Sequence, residues 1–145
     1  MSTSPAPGWA YLGQMDEMYA WCEALCTGQT QNAEQEIARF WTDDARMITN
    51  GRLEAAGIPE LAKHFALFQQ KYRRVEILRP YHSYVETGNT VVIEYEIIGE
   101  LHAGQTAIGT GEAVRQHVRV IAIFRMRGGR IAEMREVAAA NAGGS

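Results

Sequence analysis

The chain has few of the features that mark secreted, membrane-embedded or disulfide-linked proteins. Of its 145 residues only two are cysteines and four are prolines. No apolar run approaches the roughly 20 residues that cross a bilayer. The opening stretch, MSTSPAPGWA, has no basic start followed by an apolar segment, so no secretory signal is expected. These absences predict a cytoplasmic protein that does not engage a membrane.

An excess of charge of one sign is also absent. The 14 basic and 17 acidic residues are interleaved and give a net charge of -3. Such a surface creates no strong field to attract nucleic acid, so no nucleic-acid partner is expected. The hydrophobic fraction of 46% and the length are typical of one globular domain. We expect this domain at residues 9–140, with disordered tails at 1–8 and 141–145.

The two cysteines, Cys22 and Cys26, are four residues apart in a predicted helix. Along a rigid helix this spacing separates the Cα atoms by about 6 Å on one face, a geometry that disfavours a disulfide. No pair of histidines has the spacing of metal ligands beside a carboxylate. The pattern predicts two buried free thiols, and neither a metal site nor an organic cofactor.

The first half of the chain has helical periodicity. Apolar residues recur every three or four positions from Leu12 to Cys26, which predicts an amphipathic helix ending near Gly28. A second helix is expected from Asn32 to Trp41, and a short strand after it. A third is expected from Ile58 to Lys71, with Pro59 in its first turn.

The second half has the two-residue period of strands. Apolar and polar residues alternate from Val75 to Val85, and Thr87–Asn89 forms a predicted hairpin turn before TVVIEYEIIGELH. A long strand is expected from Ala113 to Arg127, followed by a tight turn and a last strand, IAEMREVAA. Helices followed by an antiparallel meander predict an α+β domain, with the helices on one face of a curved sheet.

This order of elements, with FWTDDARM after the second helix and FRMRGGRIAEMREV at the end, resembles the SnoaL-like group of the nuclear transport factor 2-like superfamily. The resemblance covers roughly residues 9–138. It implies a cone-shaped barrel of a strongly bent, antiparallel or mixed sheet packed on three N-terminal helices, with a deep pocket at one end. It also implies a homodimer formed through the outer sheet surface. The superfamily includes cyclases, epoxide hydrolases, isomerases, dehydratases and proteins without catalysis, so the fold does not name a reaction.

Glu136 is the first candidate catalytic residue. Side chains alternate along a strand, so Glu136 shares one face of the last strand with Ala132, Met134 and Ala138. A carboxyl group in such company would be partly desolvated and its pKa raised, which suits a general acid or base. The resemblance implies the same position, because related cyclases and epoxide hydrolases carry an acid/base aspartate there. The alternative is an exposed charge at the end of a strand.

Two polar rows are the second candidate. Glu94 and Glu96 share a strand face, and His117 and Arg119 share a face of the following strand. Antiparallel pairing would set acids beside bases. One interpretation is a proton-relay network, with His117 as a catalytic residue and the other three binding substrate. The other is a charged outer sheet face or a dimer interface held by salt bridges.

Aromatic residues are expected to form the walls of the pocket, with Tyr19 or Tyr84 steadying an oxyanion. Predicted substrate-binding residues are Trp41, Phe65, Phe68, His82 and Tyr84, the last two on one strand face. Tyr72 is a further wall residue, and His64 is expected at the surface or at the pocket mouth. Ketosteroid isomerases, which the FWTDDARMITNG segment resembles, place their abstracting aspartate where this chain has Thr49. A hydroxyl group is not a base at neutral pH, so that activity is not predicted.

The resulting hypothesis is an enzyme without a cofactor that transfers protons on a small, apolar, oxygenated molecule. Aldol-type ring closure, isomerisation, dehydration and addition of water to an epoxide all fit this description. The epoxide reaction lacks one expected feature, because Glu-Tyr-Glu at 94–96 replaces the Arg-x-Asp pair that the resemblance implies. The alternative is a non-catalytic binding or dimerisation module with the same fold.

Overall fold

The computed structural model describes residues 8–29, 33–102 and 115–140. Within these ranges the chain forms three helices and seven strands. In chain order they are α1 (Leu12–Cys26), α2 (Ala33–Ile37), β1 (Trp41–Thr49), β2 (Arg52–Ala56), α3 (Ile58–Lys71), β3 (Tyr72–Ile77), β4 (Ser83–Thr87), β5 (Thr90–Leu101), β6 (Arg115–Arg127) and β7 (Arg130–Ala140).

The strands form one mixed sheet in the order β2-β1-β7-β6-β5-β3, with β4 also paired to β5. Only β1 and β7 are parallel, and the other pairs are antiparallel. Strands β3 and β4 share the same neighbour because β3 pairs with the far end of β5 and β4 with its start. The sheet is open and curves around the helices, which confirms the predicted α+β cone.

Helix α1 fills the concave side of the sheet. Its buried residues recur at the predicted three- and four-residue spacing: Met15, Met18, Tyr19, Trp21, Cys22, Leu25 and Cys26. The carboxylate of Glu86 accepts hydrogen bonds from the backbone N–H groups of Ala10 and Tyr11 at 2.7 and 2.8 Å, just before the helix begins. Gly28 follows the helix with a φ of 76°, the left-handed conformation that glycine permits. Both cysteines are buried and free, as predicted.

The second helix is much shorter than predicted. It covers Ala33–Ile37, and the predicted start at Asn32 lies outside the described residues. Trp41 is the first residue of β1 rather than the end of a helix, and β1 is nine residues long rather than short. A few apolar residues in succession satisfy both periods, and here pairing with β7 decides the outcome, because Trp41 lies opposite Ile131.

Helix α3 has the predicted bounds, with Pro59 in the first turn and Gly57 before it at a φ of 87°. The alternating stretch predicted as one strand is divided into β3 and β4, with the cis Arg79–Pro80 peptide bond in the connection. Strand β6 begins at Arg115, and the predicted start at Ala113 lies outside the described residues. No described helix has the length and apolar character needed to cross a membrane.

Candidate functional site

A cavity of about 480 Å³ lies between α1, α3 and the concave face of the sheet. Its wall includes the predicted residues Tyr19, Trp41, Phe65, Phe68 and Tyr72. The residues around its inner part are buried, whereas three lining residues at the opening, Glu54, Leu67 and Lys71, are exposed. The cavity therefore has a closed end and a mouth.

Glu136 lies on the wall of this cavity. Met134 and Ala138 line it as well, so the alternation predicted for the last strand is confirmed. In the parallel pairing of β1 with β7, Glu136 lies opposite Thr49, and the Thr49 hydroxyl donates a hydrogen bond to Glu136 Oε1 at 3.2 Å. Burial raises the pKa of the Glu136 carboxyl group; the Thr49 hydrogen bond opposes this rise, and the charge of Glu54 adds to it. The protonated form is thereby favoured to a higher pH than in a solvated glutamate.

Two tyrosines lie close to this carboxyl group. The rings of Tyr19 and Tyr95 have centroids 4.8 Å apart, and both line the cavity. Burial is the main reason that the pKa of each hydroxyl is well above its ordinary value, and the negative charge of Glu136 raises both further. Both hydroxyls therefore keep their protons at neutral pH. The Tyr19 hydroxyl is buried beside Tyr95, and its interaction with Tyr95 adds to the rise in its pKa.

Two further polar residues line the cavity, His64 at its mouth, one of the two positions expected for it, and Tyr95 deeper inside. His64 lines it from α3 and is half-buried, which lowers the pKa of its imidazole; the nearby Glu54 carboxylate works in the opposite direction. Tyr95 also lines the cavity although it was not predicted to. The signal for Tyr95 was present in the sequence, because it lies between Glu94 and Glu96 and so points away from both.

The two polar rows lie on the convex face of the sheet, away from the cavity. Arg119 donates to Glu94 Oε2 at 2.6 Å and 3.1 Å, and the Glu96 carboxylate contacts the Nε2 atoms of both His82 and His117. Hydrogen bonds from the two imidazoles help to lower the pKa of the Glu96 carboxyl group. The expectation that these five residues share the pocket with Glu136 is wrong. These residues pair with one another on the outer face of the sheet, as the other interpretation of the two polar rows predicted.

Tyr84 lies outside the cavity wall as well. Its hydroxyl donates to Glu86, and its ring contacts Trp9 edge-on at 5.6 Å between centroids. The predicted common face of Tyr84 and His82 is also wrong. Strand β4 begins only at Ser83, so the alternation does not extend back to His82. Tyr84 therefore packs against the segment that precedes α1, outside the cavity wall.

The described residues contain no group of three or more histidines, cysteines or carboxylates placed to hold a metal ion. The polar groups of the cavity wall include a carboxyl with a raised pKa, a hydroxyl that donates to it, the protonated phenols of Tyr19 and Tyr95 and the indole of Trp41. Such a set can exchange a proton with a bound molecule and donate hydrogen bonds to its oxygen atoms. Fold and cavity together define a cone-shaped α+β protein with an internal, largely apolar cavity that contains a carboxyl group.

The comparisons with known proteins identify the family. Residues 19–134 match the SnoaL-like domain, and the chain belongs to that family. Comparison with curated protein sequences gives no match.

Solved structures share the fold at low sequence identity. A candidate SnoaL-like polyketide cyclase from Jannaschia sp. CCS1 is 18% identical, with a TM-score of 0.63 over 94% of this chain and 91% of that one. An NTF2-like protein of unknown function from Exiguobacterium sp. 255-15 is 18% identical, with a TM-score of 0.64 over 86% and 97%. An LEH-like epoxide hydrolase from M. tuberculosis is 17% identical, with a TM-score of 0.60 over 86% and 80%. At these identities the likeness establishes the fold and no particular reaction.

Proposed function

We propose that this protein is a small-molecule enzyme that uses Glu136 as a general acid/base, without a metal or organic cofactor. The observation that carries the proposal is the Glu136 carboxyl group, which lines a largely apolar cavity with its pKa raised by burial. A base whose pKa is displaced toward neutrality both takes up and returns a proton efficiently. The substrate class that fits is a small, apolar, oxygenated molecule bound in the cytoplasm.

In the proposed reaction, residues of the cavity both remove the proton and return it. The Glu136 carboxylate removes a proton from carbon next to a carbonyl group, and the C–H electron pair moves to form an enolate. The Tyr19 hydroxyl, which is protonated, donates a hydrogen bond to the enolate oxygen. If the proton on Glu136 is replaced by a deuteron from heavy water before it returns to the same carbon, the result is exchange. Its return to another carbon completes an isomerisation. Attack of the enolate carbon on a second carbonyl, with the proton passing to the new alkoxide oxygen, completes an aldol closure.

The similar structures include a candidate polyketide cyclase and an LEH-like epoxide hydrolase, and both reactions remain within the proposed range. Addition of water to an epoxide would also use Glu136, here to activate the water. The residue at the centre of Glu-Tyr-Glu that faces the cavity is Tyr95, and the flanking acids face outward. This arrangement favours carbonyl chemistry over the epoxide reaction.

The test is hydrogen–deuterium exchange next to the carbonyl of cyclohexylcyclohexanone, a flexible bicyclic ketone, in heavy water. We expect the protein to accelerate exchange, and Glu136→Gln to reduce that acceleration by about 10² to 10⁴-fold, the usual contribution of a general base. Glu133→Gln is the matched control, because Glu133 lies on the same strand and pairs with arginines outside the cavity. Equal rates in the Glu136 variant and the parent, or no acceleration although the ketone binds, would contradict the proposal and favour a non-catalytic binding module.

We also propose that the convex sheet face pairs two copies of the chain. Ile121 and Val137 are directly opposite one another on β6 and β7, with exposures of 48% and 64%. Acids and bases, such as Glu94 and Arg119, flank this apolar centre, so the same patch on a second copy offers complementary charges. Light scattering should give the dimer mass for the parent and a smaller mass for Ile121→Lys. A monomeric parent protein at micromolar concentration would overturn this assignment.

A further inference from the structure

We infer that Trp41 provides a second oxygen-binding point at the closed end of the cavity, so that the ligand carries a hydrogen-bond acceptor at the end remote from Glu136. The inference deepens the proposed function and rests on it only in taking the cavity as the ligand site. It does not require that the protein be catalytic.

The first observation is an unpartnered donor. Trp41 forms part of the cavity wall and is 0% exposed. Its indole Nε1 is buried and, among the described residues, has no hydrogen-bond partner. An indole nitrogen only donates, and leaving such a donor buried and unpaired costs the desolvation free energy of the N–H group. Native proteins rarely retain that cost without a partner to relieve it.

The second observation is a contrast with Trp21. Both indole rings pack edge-on against Phe65, with centroids 5.0 Å away for Trp21 and 6.3 Å for Trp41. The Trp21 Nε1 donates to Glu36 Oε1 at 2.7 Å, so the fold supplies a partner there. Trp21 is absent from the cavity wall, whereas Trp41 belongs to it. Among these two neighbouring indoles, the unpartnered donor is the one that borders empty space.

The third observation is position along the sheet. Trp41 pairs with Ile131, and Thr49 pairs with Glu136, at the two ends of the contact between β1 and β7. Five residues of strand at about 3.3 Å each separate these levels of β7 by roughly 16 Å of backbone. The side chains converge from there into one cavity of about 480 Å³. Trp41 and Glu136 therefore contact different parts of one ligand.

These positions define the chemical class of the ligand. It is elongated and mostly apolar, because aliphatic and aromatic side chains line the wall between the two polar points. One oxygen function lies near Glu136 and Tyr19, where the proposed chemistry occurs. A second acceptor, such as a ketone, ether or hydroxyl oxygen, receives the Trp41 N–H. A site built around a buried donor discriminates against analogues that lack the acceptor.

The experiment uses two probes with the same bicyclohexyl skeleton. One is cyclohexylcyclohexanone, with a single terminal ketone, and the other is the bicyclohexyl diketone, with a ketone at each end. Indole N–H resonances of isotope-labelled protein are recorded during titration with each probe. Trp9→Phe and Trp21→Phe identify the Trp41 signal by elimination, so the assignment does not depend on altering Trp41 itself. We expect the diketone to move the Trp41 N–H resonance downfield, and to leave the Trp21 resonance in place.

The affinities give the second measurement. The parent protein should bind the diketone about fivefold to tenfold more tightly than the monoketone, the size of one net hydrogen bond. Trp41→Phe should abolish this preference, and Trp21→Phe should retain it. A Trp41 resonance that does not respond to saturating diketone, or a preference that survives in Trp41→Phe, would overturn the inference. Glu136→Gln should leave the Trp41 response unchanged, so a failure of the proposed chemistry and a failure of this subsite are distinguishable.

Discussion

Replacing Glu136 by glutamine should stabilise the folded protein at neutral pH. Burial raises the pKa of this carboxyl group in the folded state, so ionising it costs more free energy there than in the unfolded chain. The parent protein has its full stability below the ordinary glutamate pKa. It loses part of that stability as the pH rises through the raised folded pKa. Glutamine has no such titration, so its advantage should grow as the pH rises through this window and be complete above the folded pKa.

The magnitude follows from the size of the pKa difference. Each unit by which the folded pKa exceeds the unfolded pKa corresponds to about 1.4 kcal/mol at a pH above both. Glutamine retains a carbonyl oxygen, so it can still accept the hydrogen bond that Thr49 donates at 3.2 Å. The net gain should therefore be close to the full ionisation cost. For a chain of this size, 1 kcal/mol shifts the melting temperature by about 3 °C.

The assay is urea unfolding of the parent and Glu136→Gln from about pH 4 to about pH 8. Glu133→Gln again serves as the control on the same strand, because its carboxylate pairs with Arg135 at 2.9 Å and with Arg46 at 3.7 Å. Exposed ion pairs of this kind contribute about 0–1 kcal/mol, so that variant should be slightly less stable at neutral pH. A stability difference for Glu136→Gln that is independent of pH, or destabilisation at neutral pH, would refute the argument that Glu136 is desolvated.

Two further predictions, one from a substitution and one from a labelling reaction, test the packing around the cavity. Gly99→Ala should destabilise the fold by about 1–3 kcal/mol in urea unfolding, because the added Cβ would lie 2.6 Å from Tyr72 Cε1. The control is Gly13→Ala, which should not destabilise the fold because the added Cβ meets nothing within 4 Å. A stable Gly99→Ala would show that the Tyr72 ring moves freely, despite the hydrogen bond from its hydroxyl to Gln116 at 2.8 Å. Iodoacetamide should leave both thiols unmodified in the native protein at neutral pH, because burial raises the pKa of Cys26 to about 11 and that of Cys22 further. Mass spectrometry measures the labelling, and rapid labelling would contradict the burial of these thiols.

The position of Glu136 could be predicted because a strand has a strict two-residue period. Met134, Glu136 and Ala138 keep that period through the last strand, and all three line the cavity. His82 could not be placed in this way, since it precedes Ser83, where β4 begins, and the alternation does not hold there. The sequence shows the period of a segment clearly, but not the residue at which the segment begins.

The polar rows show a second limit of the same reasoning. Alternation showed that Glu94 and Glu96 share a face, but did not show which face turns toward the helices. The remaining residues of the strand decide this: Val91, Ile93 and Tyr95 are buried on the other face, so the acids must face outward. Weighing the whole face, rather than the chemical appeal of a carboxylate beside a histidine, would have placed His117 outside the cavity. The pairing of Thr49 with Glu136 could not be predicted by either kind of reasoning, because no local sequence pattern indicates which distant strands pair.

That pairing determines what the carboxyl group can do. The parallel contact between β1 and β7 puts the Thr49 hydroxyl within 3.2 Å of Glu136 Oε1, and this hydrogen bond opposes the rise in pKa that burial causes. A buried carboxyl without a donor would hold its proton too firmly to act as a base, and a fully hydrated one would hold it too weakly to return it. The threonine where ketosteroid isomerases place their abstracting aspartate thus acts on the carboxyl group rather than replacing it. The carboxyl group of this cavity is supplied by β7, and the rise in its pKa is moderated by β1.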